Sequence, residues 1–551
     1  MIELLRDKNK WQEIQNSSDY QLLREMLMDG FNRFCKDKEI PIIKFSDEMD
    51  FFRTGNRNHF ENLYFLRREQ LTVYAMLSAI YPENPEYLAK LEDVICEICN
   101  EYTWVVPAHR SPDWVNKRDG IDLFAAETGL YLAEIKQMLI DRLNPIVIDR
   151  MTTEIDKRIL TSFENEEMWF ETLKSNWASV CGGSVGITFI YESPQRFLKI
   201  KNRIEKCMEN YLEGICDDGS TSEGASYWNY GFSFYVMYND VRRRHTMGRV
   251  NPFRKEKVKK LAGFFTSILL DEENIVSFSD SATDVEYTMW LLYFLKQEYN
   301  IDMPPTSKAG LSFRKFSQVV RSFLYFKPEY HTDIVPNGEK YYDVLQWYIK
   351  RDSKYSFAVK GGHNAEEHNH NDIGSFIIVH NKKQVLCDLG APEYTAENFG
   401  ANRYNILNNS SLGHSVPIIN GCAQMQGRDY FGTLAVDANR ISIDMKHAYP
   451  CKIHKLFRNF ELYSDYVILT DSFDTDIDVT ERFVTEIEPV IGENNIVLDK
   501  TILHFDQKWK PSCTVKTIYD HDGVTPRTVY LMDFNREEKG GEFNLKITFQ
   551  E

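Results

Sequence analysis

A single change of periodicity divides this chain and sets what it can fold into. From about residue 20 to 325, apolar residues recur at helical spacing, as in QLLREMLMDGFNRF, REQLTVYAMLSAIY, IDLFAAETGLYLAEIKQMLIDRL and YTMWLLYFLKQEY. Short polar or proline-bearing breaks, YPENPEY and DRLNP, separate these stretches. Beyond about residue 340, β-branched and aromatic residues alternate in KYSFAVKGG, SFIIVH, RISIDMKHAY, NFELYSDYVILTDSFD and FNLKITF. Helices followed by strands, with no βα alternation, predict an α+β chain of two segregated domains. Residues 1–330 read as stacked helical hairpins, in a solenoid or toroid, and residues 331–551 as antiparallel sheet.

Charge narrows the partners. A formal net charge of −17 repels nucleic acid and anionic membranes, which are polyanions themselves. An acidic ligand would need a local cationic cleft, for which Arg110 and Arg403 are the first candidates, with Tyr404 beside the latter. The run Arg242, Arg243, Arg244 reads as a solvated helix face. MIELLRDKNKWQEIQ contains no apolar signal core, and no apolar run reaches membrane-spanning length. Ten cysteines scattered through apolar segments resemble buried thiols, so a reducing cytoplasm is expected. Cys96 and Cys99 fall in a helical pattern, LEDVICEICNEY, and read as core rather than as half a zinc site.

The densest chemistry lies in EEHNHNDIGSF, residues 366–376. On a strand His368 and His370 would face one way and Asn369 the other. Asp388 ends the apolar segment QVLCDLG, and His414 lies in SSLGHSVPIING. Either histidine alone would pass as a turn residue. Together, flanked by Gly374, Gly390 and Gly413, His370, Asp388 and His414 read as three ligands of a divalent metal, since neutral imidazole and carboxylate suit Zn2+.

Three segments of the helical half carry more polar and aromatic groups than packing requires. They are SNWASVCGGSVGI, with Asn176 and Trp177; DDGSTSEGASYWNYGFSFY, with Glu223, Tyr227, Trp228 and Tyr230; and WVVPAHRSPDW, which sets His109 and Arg110 between Trp104 and Trp114. Aromatic faces suit sugar rings, so these residues are candidates for glycan binding.

Taken together, NW followed by Gly-Gly, DGSTSEGASYWNYG, HNHNDIGSF with Asp388, and RYNILNNSSLGHSVPIING resemble the heparinase II/III-like polysaccharide lyases in both motif and order, over roughly residues 100–470. The resemblance implies an (α/α) helical toroid carrying an asparagine and a tyrosine, closed by an antiparallel β-sheet domain carrying a histidine and a metal. The matching positions are Asn176, Tyr230 and His368, with His370, Asp388 and His414 as implied ligands of a structural Zn2+ or Mn2+. Tyr227, one helical turn from Tyr230, is the competing tyrosine. The sequence departs from the family pattern at Asn420, where an aspartate is usual.

The implied reaction is β-elimination of an anionic uronic-acid glycan, a glycosaminoglycan or alginate, to a 4,5-unsaturated uronate. Two other readings use the same residues. A metal-dependent glycan hydrolase would give products without a double bond, and a noncatalytic glycan-binding protein would give none.

Overall fold

A computed structural model describes every residue except 111–119, 223, 282, 284–286, 367, 396, 522, 538 and 539, and the Phe399 side chain. Trp114 and Glu223 therefore lie outside the described residues.

The asparagine–proline breaks act as helix starts. Asn84 accepts from the Glu86 N–H and Asn144 from the Ile146 N–H, each with proline as first helical residue. The principal helices are α1 (Asn58–Ile80), α2 (Pro85–Asn100), α3 (Leu123–Leu139), α4 (Pro145–Ile155), α5 (Asn176–Glu192), α6 (Pro194–Gly214), α7 (Ser233–His245), α8 (Met289–Tyr299) and α9 (Phe316–Leu324). They form two layers. Helices α3 and α5 are buried on nearly every side, and α5 packs against α3, α6 and α7. Helix α6 buries only one stripe, Phe197, Ile200, Ile204, Cys207, Met208 and Tyr211, as an outer-layer helix should. The Gly182–Gly183 pair serves this packing, since a Cβ at Gly182 would lie 2.6 Å from Cys207 Cβ. Helix α9 returns to pack on α1 and α3, where buried Arg321 donates to both carboxylate oxygens of Glu134 at 3.0 and 2.7 Å.

The strand-rich part begins with a five-stranded antiparallel meander, β1 (Gly338–Tyr342), β2 (Trp347–Arg351), β3 (Tyr355–Lys360), β4 (Phe376–His380) and β5 (Lys383–Leu386). Strands β3 and β4 are buried at every position, which explains their continuous apolar runs. Ala358, Ile377 and Val379 join the helical core, while Phe357 and Phe376 pack on Phe460 of a nine-stranded antiparallel sheet. A four-stranded sheet completes this part. Asn420 takes a left-handed turn (φ 50°) that asparagine tolerates, and its side-chain Oδ1 accepts from the Asp478 N–H.

The histidine motif is a loop rather than a strand. The short strand Gly362–Asn364 belongs to the edge of the nine-stranded sheet, and β4 belongs to the meander. Residues 365–375 cross between the two, and His368 has φ 58°, incompatible with extended backbone.

All ten cysteines are free thiols. The three arginines at the end of α7 are paired rather than merely solvated: Arg242 with Glu205, Arg243 with Glu298, and Arg244 with Asp240. Among the described residues, no helix is long and apolar enough to cross a membrane.

Candidate active site

The residue that organises the histidine loop is Asp280, which no motif singled out. It is fully buried, and its carboxylate faces His368 Nδ1 at 3.0 Å and His370 Nε2 at 3.0 Å. Arg403 donates to both its oxygens at 2.9 Å. The Asp280 backbone N–H also donates to the His368 carbonyl at 3.1 Å. Burial alone would raise the pKa of this carboxyl, but the two histidines and the Arg403 charge hold it well below the usual carboxylate range. One carboxylate from the helical half thus fixes both histidines despite the irregular backbone between them. Arg403 is consumed by Asp280 and the Asn398 carbonyl, and Tyr404 donates to Asn369 Oδ1 at 3.0 Å.

Behind this clamp, ligand atoms of His370, Asp388 and His414 lie within 4.8 Å of one another, all buried. His370 uses Nε2 on Asp280, and its Nδ1 is enclosed without a partner. His414 places Nε2 2.7 Å from the Asn408 carbonyl, which accepts its proton, while Nδ1 faces Asp388 Oδ2 at 3.0 Å. A bare ring nitrogen facing a carboxylate is repulsive unless a proton or a cation lies between them. Each histidine therefore has one nitrogen fixed by an outer acceptor and the other turned inward, the arrangement that orients imidazole for a metal. Gly390 (φ 65°) lets the Asp388 loop turn and donates to Asp388 Oδ1 at 2.9 Å.

The two candidate tyrosines are divided by a π-helical turn. The short helix Gly224–Tyr227 runs into the turn Trp228–Phe232 before α7. This wider turn breaks the three-residue register that would place both phenols on one face. Tyr227 stacks on the His368 ring, with centroids 4.3 Å apart and planes at 25°. Its hydroxyl lies 2.8 Å from that of Tyr394. Tyr230 turns inward, donating to buried Glu127, which also accepts from Tyr131. The Lys315 ammonium lies 3.2 Å from the Tyr230 ring centroid. Burial, then the Glu127 charge, push the Tyr230 phenol well above its ordinary pKa, and burial also raises Glu127.

Asn176 opens α5, buried against the same turn: a Cβ at Gly231 would come within 3.0 Å of Asn176 Cβ. Two of the expected aromatic platforms are core residues. Trp104 and Trp228 are each 1% exposed, and their indole N–H groups donate to the Ile98 and Leu261 carbonyls, so neither offers a face to a glycan. Arg110 is held by Glu48 and the Val105 carbonyl. His109 lies 2.8 Å from Asp122 and stacks on Phe124 at 5.4 Å, edge-on to partly buried Trp177.

No family model matches the sequence, and no curated protein matches it. Solved structures do. The crystal structure of heparinase III superposes with TM-score 0.62 at 13% identity, over 98% of this chain and 91% of that one. A heparan sulfate lyase from Pedobacter heparinus gives TM-score 0.60 at 12% identity, over 97% and 84%. A chondroitin AC lyase from Streptomyces coelicolor A3 gives 0.57 at 10% identity, over 100% and 83%. The chain has the fold of these polysaccharide lyases. Its helical part is their toroid and its strand-rich part their β domain.

Within that fold, Asp280, Glu127, Tyr394 and Lys315 escaped sequence reasoning. Glu127 left a signal, as an acid inside the otherwise apolar helix LFAAETGLYLAEI, where an uncompensated charge is costly. Asp280, in SFSDSATD, looks like any polar loop residue.

Proposed function

We propose that the protein is a polysaccharide lyase that cleaves uronic-acid glycans by β-elimination, with Tyr227, His368 and Asn176 as its reacting and stabilising groups. The stack of Tyr227 on His368 carries this reading. It joins the toroid to the β domain at the point where Asp280 fixes the histidine.

The elimination breaks C5–H and C4–O4, forms the C4=C5 double bond, and consumes no water. The C5 proton is α to an ionised carboxylate and weakly acidic, so charge must be met as it develops on that group. Asn176 can donate there, a contribution of roughly 2.7–4 kcal/mol per donor in comparable sites. Tyr227 takes the C5 proton or returns one to the leaving oxygen. Burial, followed by the nearby Tyr227, raises the Tyr394 phenol well above its ordinary value. A hydrogen bond from the Tyr394 hydroxyl would stabilise charge developing on the Tyr227 oxygen. His368, oriented by Asp280, lies against the same ring. Tyr230 cannot share this role while its hydroxyl is committed to Glu127.

His370 Nδ1, His414 Nδ1 and Asp388 would hold a divalent metal, Zn2+ or Mn2+ by donor type. Bound there, the metal would supply positive charge that fixes the loop bearing His368. The substrate is an anionic glycan of the glycosaminoglycan or alginate kind, in keeping with glycan lyases of this fold.

The test is to incubate the protein with a panel of uronic-acid glycans and follow the ultraviolet absorbance of the conjugated uronate. Rising absorbance that His368→Ala abolishes supports elimination. New reducing ends without absorbance would replace it with hydrolysis.

A further inference from the structure

A polar cavity is lined in part by the turn that follows Tyr227. Its volume is about 270 Å³, the space of about nine waters at ~30 Å³ each and enough for one sugar ring. Ser226, Asn229, Tyr230, Thr288, Lys315 and Gln318 line it. Ser226, Asn229 and Tyr230 flank Tyr227 in the chain, so one short segment serves both the cavity and the Tyr227–His368 stack. One wall is a two-residue parallel pairing of Tyr287–Thr288 with Ala309–Gly310.

Most of its polar groups are already satisfied. The Thr288 N–H donates to Asn229 Oδ1 at 3.1 Å and the Thr288 hydroxyl to Gln318 Oε1 at 3.2 Å. Gln318 in turn donates to Ser233 Oγ at 2.9 Å. Lys315 differs. No described residue forms an ion pair or hydrogen bond with its ammonium, which lies partly buried over the Tyr230 ring. The charged and titratable groups facing it are Glu127 on α3, which accepts from Tyr230 and Tyr131, and neighbouring Arg314. Arg314 is itself paired with Glu69. Glu127 is the opposite charge facing the ammonium, but that carboxylate already accepts from two phenols, so the partly buried Lys315 keeps N–H donors for an anion in the cavity.

We propose that this cavity is a sugar subsite sharing a segment with the Tyr227–His368 centre, in which Lys315 binds an anionic substituent of the glycan, a carboxylate or a sulfate ester. The assignment of the ligand as a glycan rests on the proposed lyase function; the anion-binding role of Lys315 stands on the cavity alone. Lys315 is a specificity residue here and takes no part in the proton transfers. Burial also lowers its own pKa to about 8, so anion binding weakens as pH rises through that value.

The test is calorimetric titration of the whole protein and of Lys315→Met with tetrasaccharides of alternating uronate and hexosamine. The probes are unsulfated, sulfated, and unsulfated with the carboxylates converted to amides. Lys315→Met should weaken binding of the charged probe by about 10- to 100-fold, the range for losing a hydrogen bond to a charged group. It should leave the amide probe unchanged, and Lys315→Arg should retain part of the affinity. A loss confined to the sulfated probe names the sulfate ester; a loss already present with the unsulfated probe names the carboxylate. Equal affinity of wild type and Lys315→Met for every charged probe overturns the proposal. If charge-dependent binding is lost in Lys315→Met while no unsaturated product ever forms, the catalytic reading falls and the subsite stands.

Discussion

The Arg321–Glu134 contact inside the toroid and the Asp280–His370–His414 cluster where the toroid meets the sheets both bury charge, yet they finish differently. Arg321 and Glu134 satisfy each other in two hydrogen bonds, and the Arg458–Asp471 pair in the sheet core does the same. In the loop cluster, His370 Nδ1 is left over and His414 Nδ1 faces a carboxylate. Closed pairs fix helices and strands; the open ones keep polar atoms turned toward a shared centre. Lys315, with no hydrogen bond to its ammonium among the described residues, falls on the open side. The comparison teaches that, in a chain with so many buried ions, incomplete pairing separates a candidate site from architecture better than burial does.

The largest expected effect is at the open end. His368→Ala should lower kcat by about 100- to 10,000-fold, the usual span for a positioned proton-transfer group, with an unchanged melting temperature. A loss of stability instead would move His368 to the closed class. Arg321→Met should have the opposite profile. Leaving Glu134 unpaired should cost about 3–5 kcal/mol in denaturant unfolding, with activity per folded molecule preserved, and adding Glu134→Leu should restore most of it.

Asp280→Asn sharpens the contrast, because it removes charge from the clamp while keeping its shape. Metal affinity, read by competition with a chelating dye, should fall about 10- to 100-fold. An unaltered affinity would make Asp280 a packing residue only. The smallest effect concerns Lys315, whose pKa drops from 10.5 to about 8 on burial. Between those values the unfolded chain binds more protons than the folded one, so wild-type stability rises with pH across this window. Lys315→Met should therefore raise the melting temperature below pH 8, and the gain should fade towards pH 10. A gain constant across this range would show that the ammonium is not the source.

Much of this was legible in the sequence because periodicity reports packing. Helices α3 and α5 have no polar stripe and lie in the inner layer, and the alternation after residue 340 is antiparallel sheet. His370, Asp388 and His414 could be picked out by residue type, and their side chains lie together. The strand assignment for His368 failed because an Asn/Asp/Gly-rich stretch pays for a loop with side-chain and glycine turns, not a ladder. Trp104 and Trp228 misled because an indole among polar residues looks the same whether its N–H meets a sugar or a carbonyl. The different surroundings of Tyr227 and Tyr230 follow from a π-turn, which leaves no trace in residue spacing. Asp280 lies 88 residues from His368, and only folding brings them together.

The most direct measurement is turnover of Tyr227→Phe beside Tyr230→Phe, on the uronic-acid glycan for which wild type yields conjugated unsaturated product. The account predicts that Tyr227→Phe loses that absorbance by about 100-fold or more while Tyr230→Phe retains it within about tenfold. Loss in Tyr230→Phe with Tyr227→Phe still active would contradict the site described here.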